Sequence, residues 1–264
     1  MAEKKKTETV SKKLCIATPM YGGNAKSAYV SSVSDLVYEL AGRGWSVTQM
    51  HIGNESLITR ARNSLVHNFM TKMEDYTGLM FIDADHGFIA KDVADMIESG
   101  KELIGGIYPM KGINWESVRK AAILGKKNLE LYSGSFALNL LDEPQDFKTV
   151  DPFKVRDIGT GMMYISRTVF EKMKPHLDTY VANGLGKEVA PGEVVTEYFK
   201  TIIDDESGNN LLLSEDYFFC KKWRDLGGEV WAAPWVRVTH AGDYMFSGNF
   251  LYSLELRQYP DPEV

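Results

Sequence analysis

The stretch Leu79-Met80-Phe81-Ile82-Asp83-Ala84-Asp85 decides how the rest of the chain is read. Four consecutive apolar residues suit a strand buried on both faces, the kind found in parallel sheets. They run straight into two carboxylates spaced i, i+2, and extended backbone points such a pair to one side. Two carboxylates aimed at one spot repel each other unless a cation lies between them. A hard divalent ion, Mg²⁺ or Mn²⁺, carrying a substrate phosphate meets that need. Asp is also an ordinary turn residue after a strand, so the pair gains weight only from its surroundings.

Upstream, residues 14–17 form a short apolar strand that ends in the loop Thr18-Pro19-Met20-Tyr21-Gly22-Gly23. From Ser27, apolar residues at Val30, Val33, Leu36, Val37 and Leu40 keep helical spacing until Gly42. Residues 46–52 alternate like a second strand, and a polar loop at 53–56 leads into a helix over 57–72. Downstream come a short helix at 90–97, a strand at 102–109 closed by a loop, and a candidate strand at 129–132. Gly159-Thr160-Gly161 then hinges into an apolar strand ending at Ser166, followed by a helix over 167–174. Residues 183–210 are Gly- and acid-rich and read as a weakly patterned excursion. Ser214-Glu215-Asp216 caps a helix over 217–226, with Ser214 or Asp216 accepting from first-turn amides. Strands at 229–233 and 236–240 close the pattern.

This order predicts an α/β fold: a mixed, mainly parallel sheet flanked by helices, with ligands bound beyond the carboxyl ends of the strands. The Thr18 loop and the aspartate pair both belong to that edge. The loop has neither the G-x-G-x-x-G pattern of a dinucleotide fold nor the lysine of a P-loop.

With 44% hydrophobic and 25% charged residues, the 264-residue chain can bury one sizeable core. We read one domain over 14–246, a basic arm over 1–13 and a C-terminal tail over 247–264. A net charge of −6 provides no global attraction for nucleic acid. The arm, with Lys4, Lys5, Lys6, Lys12 and Lys13, is the exception. Cys15 and Cys220 lie in apolar stretches, too few for a zinc site and with no disulfide indicated. The chain has neither an 18-residue apolar span nor a signal-peptide core, so a soluble cytoplasmic protein is expected.

Three further pieces support the aspartate pair. Arg60 and Asn63 share a face of the helix entering from the Ser56 loop and suit phosphate, base or ribose edges. The Gly159-Thr160-Gly161 hinge permits close approach of backbone to a sugar or diphosphate. Glu215 and Asp216 at a helix start offer a candidate base whose pKa the helix dipole lowers, and His240 stands at a strand end.

In this combination the chain resembles nucleotide-sugar glycosyltransferases of the GT-A (Rossmann-like) fold. The helix approach over 54–63, the Asp83-Ala84-Asp85 strand and Gly105-Gly106-Ile107-Tyr108-Pro109 also look like a subgroup common in phage and bacterial genomes, loosely related to the Anp1-type mannosyltransferases. The residues carrying the GT-A resemblance are the apolar strand ending in Asp83-Ala84-Asp85, the Gly159-Thr160-Gly161 loop, Glu215-Asp216 and His240, in that order. The resemblance implies a metal-dependent transferase moving a sugar from a nucleotide donor, a UDP-sugar foremost, to an acceptor hydroxyl. It implies Mn²⁺ or Mg²⁺ held by Asp85 and His240, with Asp83, flanked by Ala84, contacting the ion or the ribose. Thr18, Pro19 and Tyr21 would line the base pocket, with Arg60 and Asn63 beside the base or diphosphate. Gly159, Thr160 and Gly161 would face the donor sugar or the acceptor. Asp216 would be the base of an inverting reaction; in a retaining one, Asp216 or Glu215 would position a substrate. His86, next to the metal acid, is expected to point to the other face of an extended segment.

The acceptor implied is a glycan, a protein, a lipid-linked sugar or a hydroxymethylated DNA base, in host cytoplasm if the chain is viral. Lys111, Arg119, Lys120, Lys126 and Lys127, with the arm, either solubilise the surface or, for a DNA acceptor, track its phosphates. A nucleotidyltransferase and a non-catalytic sugar-nucleotide-binding protein of the same fold are the competing readings.

Overall fold

The computed structural model describes residues 12–143, 147, 148, 150–184, 188–205 and 210–261. Most of the basic arm, residues 1–11 with Lys4, Lys5 and Lys6, therefore lies outside the described residues. Strands β1 (Lys12–Met20), β2 (Trp45–Gly53), β3 (Gly78–Ile82), β4 (His86–Phe88) and β5 (Leu103–Gly106) alternate with helices α1 (Ser27–Gly42), α2 (Ile58–Lys72) and α3 (Ala90–Ile97). Helix α4 (Trp115–Ile123) and short strands β6 (Leu138–Asn139), β7 (Phe153–Val155) and β8 (Asp157–Ile158) precede β9 (Met162–Ser166) and α5 (Arg167–Met173). Two small antiparallel pairs follow, β10 (Thr179–Val181) with β11 (Val194–Thr196) and β12 (Ile202–Asp204) with β13 (Leu211–Leu213). The chain closes with α6 (Glu215–Asp225), β14 (Val230–Ala233), β15 (Val238–Ala241), β16 (Met245–Phe246) and α7 (Phe250–Leu256).

The central sheet runs β2-β1-β3-β9-β5-β14-β7. β1 pairs parallel with β2 and β3, and β5 parallel with β14, while β9 is antiparallel to both β3 and β5. Five strands thus share one direction, and only β9 and β7 oppose them. This is the mixed, mainly parallel, Rossmann-like α/β sheet expected from the sequence. Every residue of β3 is buried, because helices cover both faces of the sheet and leave its central strand no solvent side. One cluster packs α2, α5 and α6 against Phe81, Met163 and Ile165; the other packs α1 and α3 against Ile16, Met80 and Ile82.

The ends of the chain differ from expectation. Lys12 and Lys13 begin β1, paired with Glu98 and Asp75 respectively. The tail over 247–264 contains α7, whose Phe250 stacks on Phe153 at 5.9 Å and meets Phe147 and Phe136 edge-on. Its apolar side completes the core, so it folds back instead of trailing in solvent. Residues 129–132 form a 3₁₀ turn, not a strand. Cys15 and Cys220 are both buried free thiols, and burial pushes the Cys15 thiol up to about 12.

Candidate metal and donor site

The apolar run of β3 ends at Ile82, and the backbone then turns instead of continuing extended. The His86 amide donates to the Asp83 carbonyl at 3.1 Å, closing a four-residue turn. That turn sends Asp83 and Asp85 to different partners and swings His86 to the side opposite from that expected. Side chains at i and i+2 share a side only in extended backbone, and residues 83–86 turn instead. Asp83 Oδ1 accepts from Arg62 Nη2 at 3.3 Å, whereas Asp85 Oδ2 meets Lys111 Nζ at 2.5 Å and His240 Nε2 at 3.4 Å.

β4 pairs antiparallel with β15, and His86 and His240 lie directly opposite one another in that register. Opposite residues of an antiparallel pair share a face. Their rings accordingly meet edge-on with centroids 4.5 Å apart. Both rings are oriented by backbone carbonyls: His86 Nδ1 donates to Gly161 O and His240 Nδ1 to Pro109 O, each at 2.8 Å. A carbonyl only accepts, so each Nδ1 carries a proton and each Nε2 is left for another partner. His86 Nε2 and Asp85 Oδ1 are buried with no hydrogen-bond partner among the described residues. One ligand atom from each of Asp85, His86 and His240 lies within 4.8 Å of the others. Two imidazoles and a carboxylate, with orphaned buried atoms between them, fit a divalent transition ion such as Mn²⁺. They fit Mg²⁺ less well, since it takes oxygen ligands.

The Gly159-Thr160-Gly161 hinge lies beneath this cluster and is itself buried. The Gly161 carbonyl accepts from the Asp83 amide at 2.9 Å as well as from His86, and its own amide donates to the Tyr108 hydroxyl at 3.2 Å. A Cβ at Gly161 would stand 2.7 Å from both Asp83 Oδ2 and His86 Cε1. At Gly159 it would stand 2.0 Å from the Tyr108 hydroxyl. The glycines are therefore there for close packing under the acids. Thr160, 1% exposed, keeps its hydroxyl without a hydrogen-bond partner among the described residues.

Beside the acids opens a cleft of about 530 Å³ lined by Pro19, Tyr21, Asn24, Ala25, Lys26, Glu55, Ser56, Ile58 and Asp83-Ala84-Asp85. It lies at the carboxyl ends of β1 and β3, where such sheets bind ligands. Tyr21 is largely exposed at its mouth. Thr18 does not line it, being fully buried and hydrogen-bonded to the Tyr29 hydroxyl at 2.7 Å. Asn63 is 1% exposed, and its amide brackets the Phe199 backbone, donating to the carbonyl at 2.9 Å and accepting from the amide at 2.8 Å. Arg60 is held by Glu55 through two bonds of 2.5 and 2.8 Å.

The residue that sequence reasoning passed over is Arg62. It is 4% exposed, with its guanidinium over the Phe81 ring at 5.2 Å, and it bridges Asp83 to Glu215 Oε1 at 3.4 Å. Its Nη1 is buried without a hydrogen-bond partner among the described residues. The signal was present: 62, 65, 66 and 69 form the core stripe of α2, and a charge on such a stripe demands a buried partner. Ser214 sits at the N-cap of α6, but its hydroxyl donates to Asp216 instead of capping an amide. Asp216 accepts from the Tyr217 amide at 2.9 Å. Burial, and secondly the charge of Glu215, push the Asp216 carboxyl up, outweighing the helix-end effect expected to lower it. For Asp85 burial also pushes up, but the contacts with His240 and Lys111 prevail and hold it well below the carboxylate range.

Several lysines assigned to phosphate tracking are engaged elsewhere. Lys111 pairs with Asp85, Lys120 is buried against the Tyr259 carbonyl and Asp261, and Lys126 pairs with Glu255. No helix among the described residues is long and apolar enough to cross a membrane.

No protein-family model and no curated protein matches the chain. Among solved structures it is similar to A197 from STIV, at 15% identity and a TM-score of 0.49, over 90% of this chain and 94% of that one. A likeness of that degree bears on neither activity nor ligand.

Proposed function

We propose that the chain is a metal-dependent glycosyltransferase that takes a nucleoside-diphosphate sugar as donor and an alcohol as acceptor. The observation that carries this is the convergence of Asp85, His86 and His240 within 4.8 Å, with both imidazoles held by backbone carbonyls, beside the strand-end cleft. A preoriented site of this kind is what a diphosphate-bridging ion requires. Such an ion, Mn²⁺ being the better match to the donor set, neutralises charge on the departing diphosphate when bound.

The protein's own groups divide the rest of the work. Pro19 and Tyr21 line the cleft and would offer an apolar and aromatic wall to the base, and Asp83, which lines it too, would meet the ribose or donor sugar. Arg62 holds Asp83 and links it to Glu215, so the donor side and the start of α6 keep a fixed relation. Asp216 takes the proton from the acceptor hydroxyl. Its raised pKa makes it a stronger base than an ordinary carboxylate, and Ser214 with the Tyr217 amide keeps it oriented. The acceptor is an alcohol of a glycan, a protein, a lipid-linked sugar or a modified DNA base.

The test is a thermal-shift screen of nucleoside-diphosphate sugars with and without Mn²⁺, followed by donor turnover for wild type and Asp85→Ala. A donor that stabilises the fold only with Mn²⁺, and loss of turnover in the variant, are expected. Undiminished turnover by Asp85→Ala overturns the reading.

A further inference from the structure

The loop after β5 contributes twice to the metal cluster. Its Pro109 carbonyl orients His240 at 2.8 Å, and two residues later Lys111 Nζ lies 2.5 Å from Asp85 Oδ2. The backbone is fixed by the Met110 amide donating to Ser135 O at 2.7 Å and by a β-bridge from Pro109 to Phe136. The Lys111 side chain, by contrast, is 44% exposed and runs past Gly242, where a Cβ would sit 3.5 Å from Lys111 Cδ. A fixed base thus carries a long, partly exposed cation whose head contacts the carboxylate of the proposed ion site.

We infer that Lys111 makes ion binding conditional on a diphosphate, and so admits the ion as part of a nucleotide complex. This rests on the reading of Asp85, His86 and His240 as ion ligands. An ammonium at 2.5 Å and a divalent ion compete for one carboxylate, and wherever the ammonium settles nearby it repels the ion. A lone ion therefore enters against Lys111. A diphosphate reverses the sign, because its oxygens accept the displaced ammonium in charge-assisted hydrogen bonds. Lys26, which lines the strand-end cleft with Asp83 and Asp85 and whose amide donates to Ala84 O at 2.9 Å, is a second cation for the phosphates. Ion and diphosphate then strengthen each other, and the coupling is reciprocal. The leaving nucleotide would release Lys111 back to Asp85, which loosens the ion with it.

The experiment is calorimetric titration of Mn²⁺ alone, and of Mn²⁺ with UDP or GDP, into wild type, Lys111→Met and Asp85→Asn. Methionine keeps the stem against Gly242 and removes the charge. Lys111→Met should bind Mn²⁺ alone about fivefold tighter than wild type, the size expected of a partly exposed ion pair. At least one of the two nucleotides should raise Mn²⁺ affinity more in wild type than in Lys111→Met. Equal Mn²⁺ affinities for those two proteins, or equal gains from both nucleotides, overturn the role of Lys111 while loss of binding in Asp85→Asn upholds the ion site. Wild-type Mn²⁺ affinity in Asp85→Asn overturns the site reading itself.

Discussion

Replacing Gly161 by alanine tests the packing under the ion cluster directly. The residue does not have a positive φ, so its backbone accepts alanine and the cost is crowding alone. The added methyl would stand 2.7 Å from Asp83 Oδ2 and His86 Cε1 and 3.0 Å from Tyr108 Cζ. None of these is a free end. Asp83 and His86 are tied to the Gly161 carbonyl by their amide and ring nitrogen, and the Tyr108 hydroxyl takes the Gly161 amide proton. Overpacking of this kind costs about 1–3 kcal/mol. For a chain of this size that lowers Tm by about 2–12 °C. Moving the His86 ring would also misplace one of the three proposed ligands, so any rise in Tm produced by Mn²⁺ should shrink. Thermal melts with and without Mn²⁺ measure both effects, with Gly42→Ala as control. A methyl added at Gly42 would meet nothing within 4 Å, and the residue lies in α1, so that change should be neutral or stabilising by up to about 1 kcal/mol. If Gly161→Ala melts with wild type and gains as much from Mn²⁺, the packing argument is wrong.

Other expectations follow from single contacts. Asp216→Asn should abolish transfer yet raise stability at neutral pH. The folded pKa of Asp216 is raised, so ionisation penalises the fold above that pKa and the penalty vanishes below the unfolded value of about 3.9; urea melts showing no gain at pH 7 would contradict this. Asp85 has the opposite sign: its depressed pKa contributes stability above about pH 3.9 that is lost as pH falls further. The gap between wild type and Asp85→Asn in urea should therefore narrow from about pH 5 to about pH 2, and a constant gap counts against the ion pair. Arg62→Met removes the cation between Asp83 and Glu215 and should cost about 3 kcal/mol by denaturant titration, the low end for a broken buried pair because both contacts are long. Asn63→Ala leaves the Phe199 amide and carbonyl unpaired and should cost about 2–3 kcal/mol without changing donor KM; a donor KM that rises several-fold would restore Asn63 to the nucleotide site.

Local pattern alone determined much of this molecule. The periodicity of residues 27–42, 57–72 and 90–97 placed α1, α2 and α3 within a residue, and the apolar run at 79–82 placed β3, because burial of one stripe or of both faces is written in near-neighbour spacing. Asp85 and His240 were legible as chemistry-bearing residues, since a carboxylate at a strand end and a histidine closing a later strand are local features. Their meeting was not, and neither was the place of His86. It depends on one turn that departs from extended geometry and on a register that sets residue 86 opposite residue 240. The same limit explains Thr18 and Asn63, polar residues that read as ligand contacts but satisfy Tyr29 and the Phe199 backbone, 11 and 136 positions away. It explains Arg62, whose partner Glu215 is 153 residues distant. The opening pair, Asp83 and Asp85, is where the two levels divide. The chain by itself marked both acids at the end of a buried strand. Only the fold decided that one faces Arg62 while the other faces Lys111 and two imidazoles, because which charges meet depends on contacts between elements far apart in the chain.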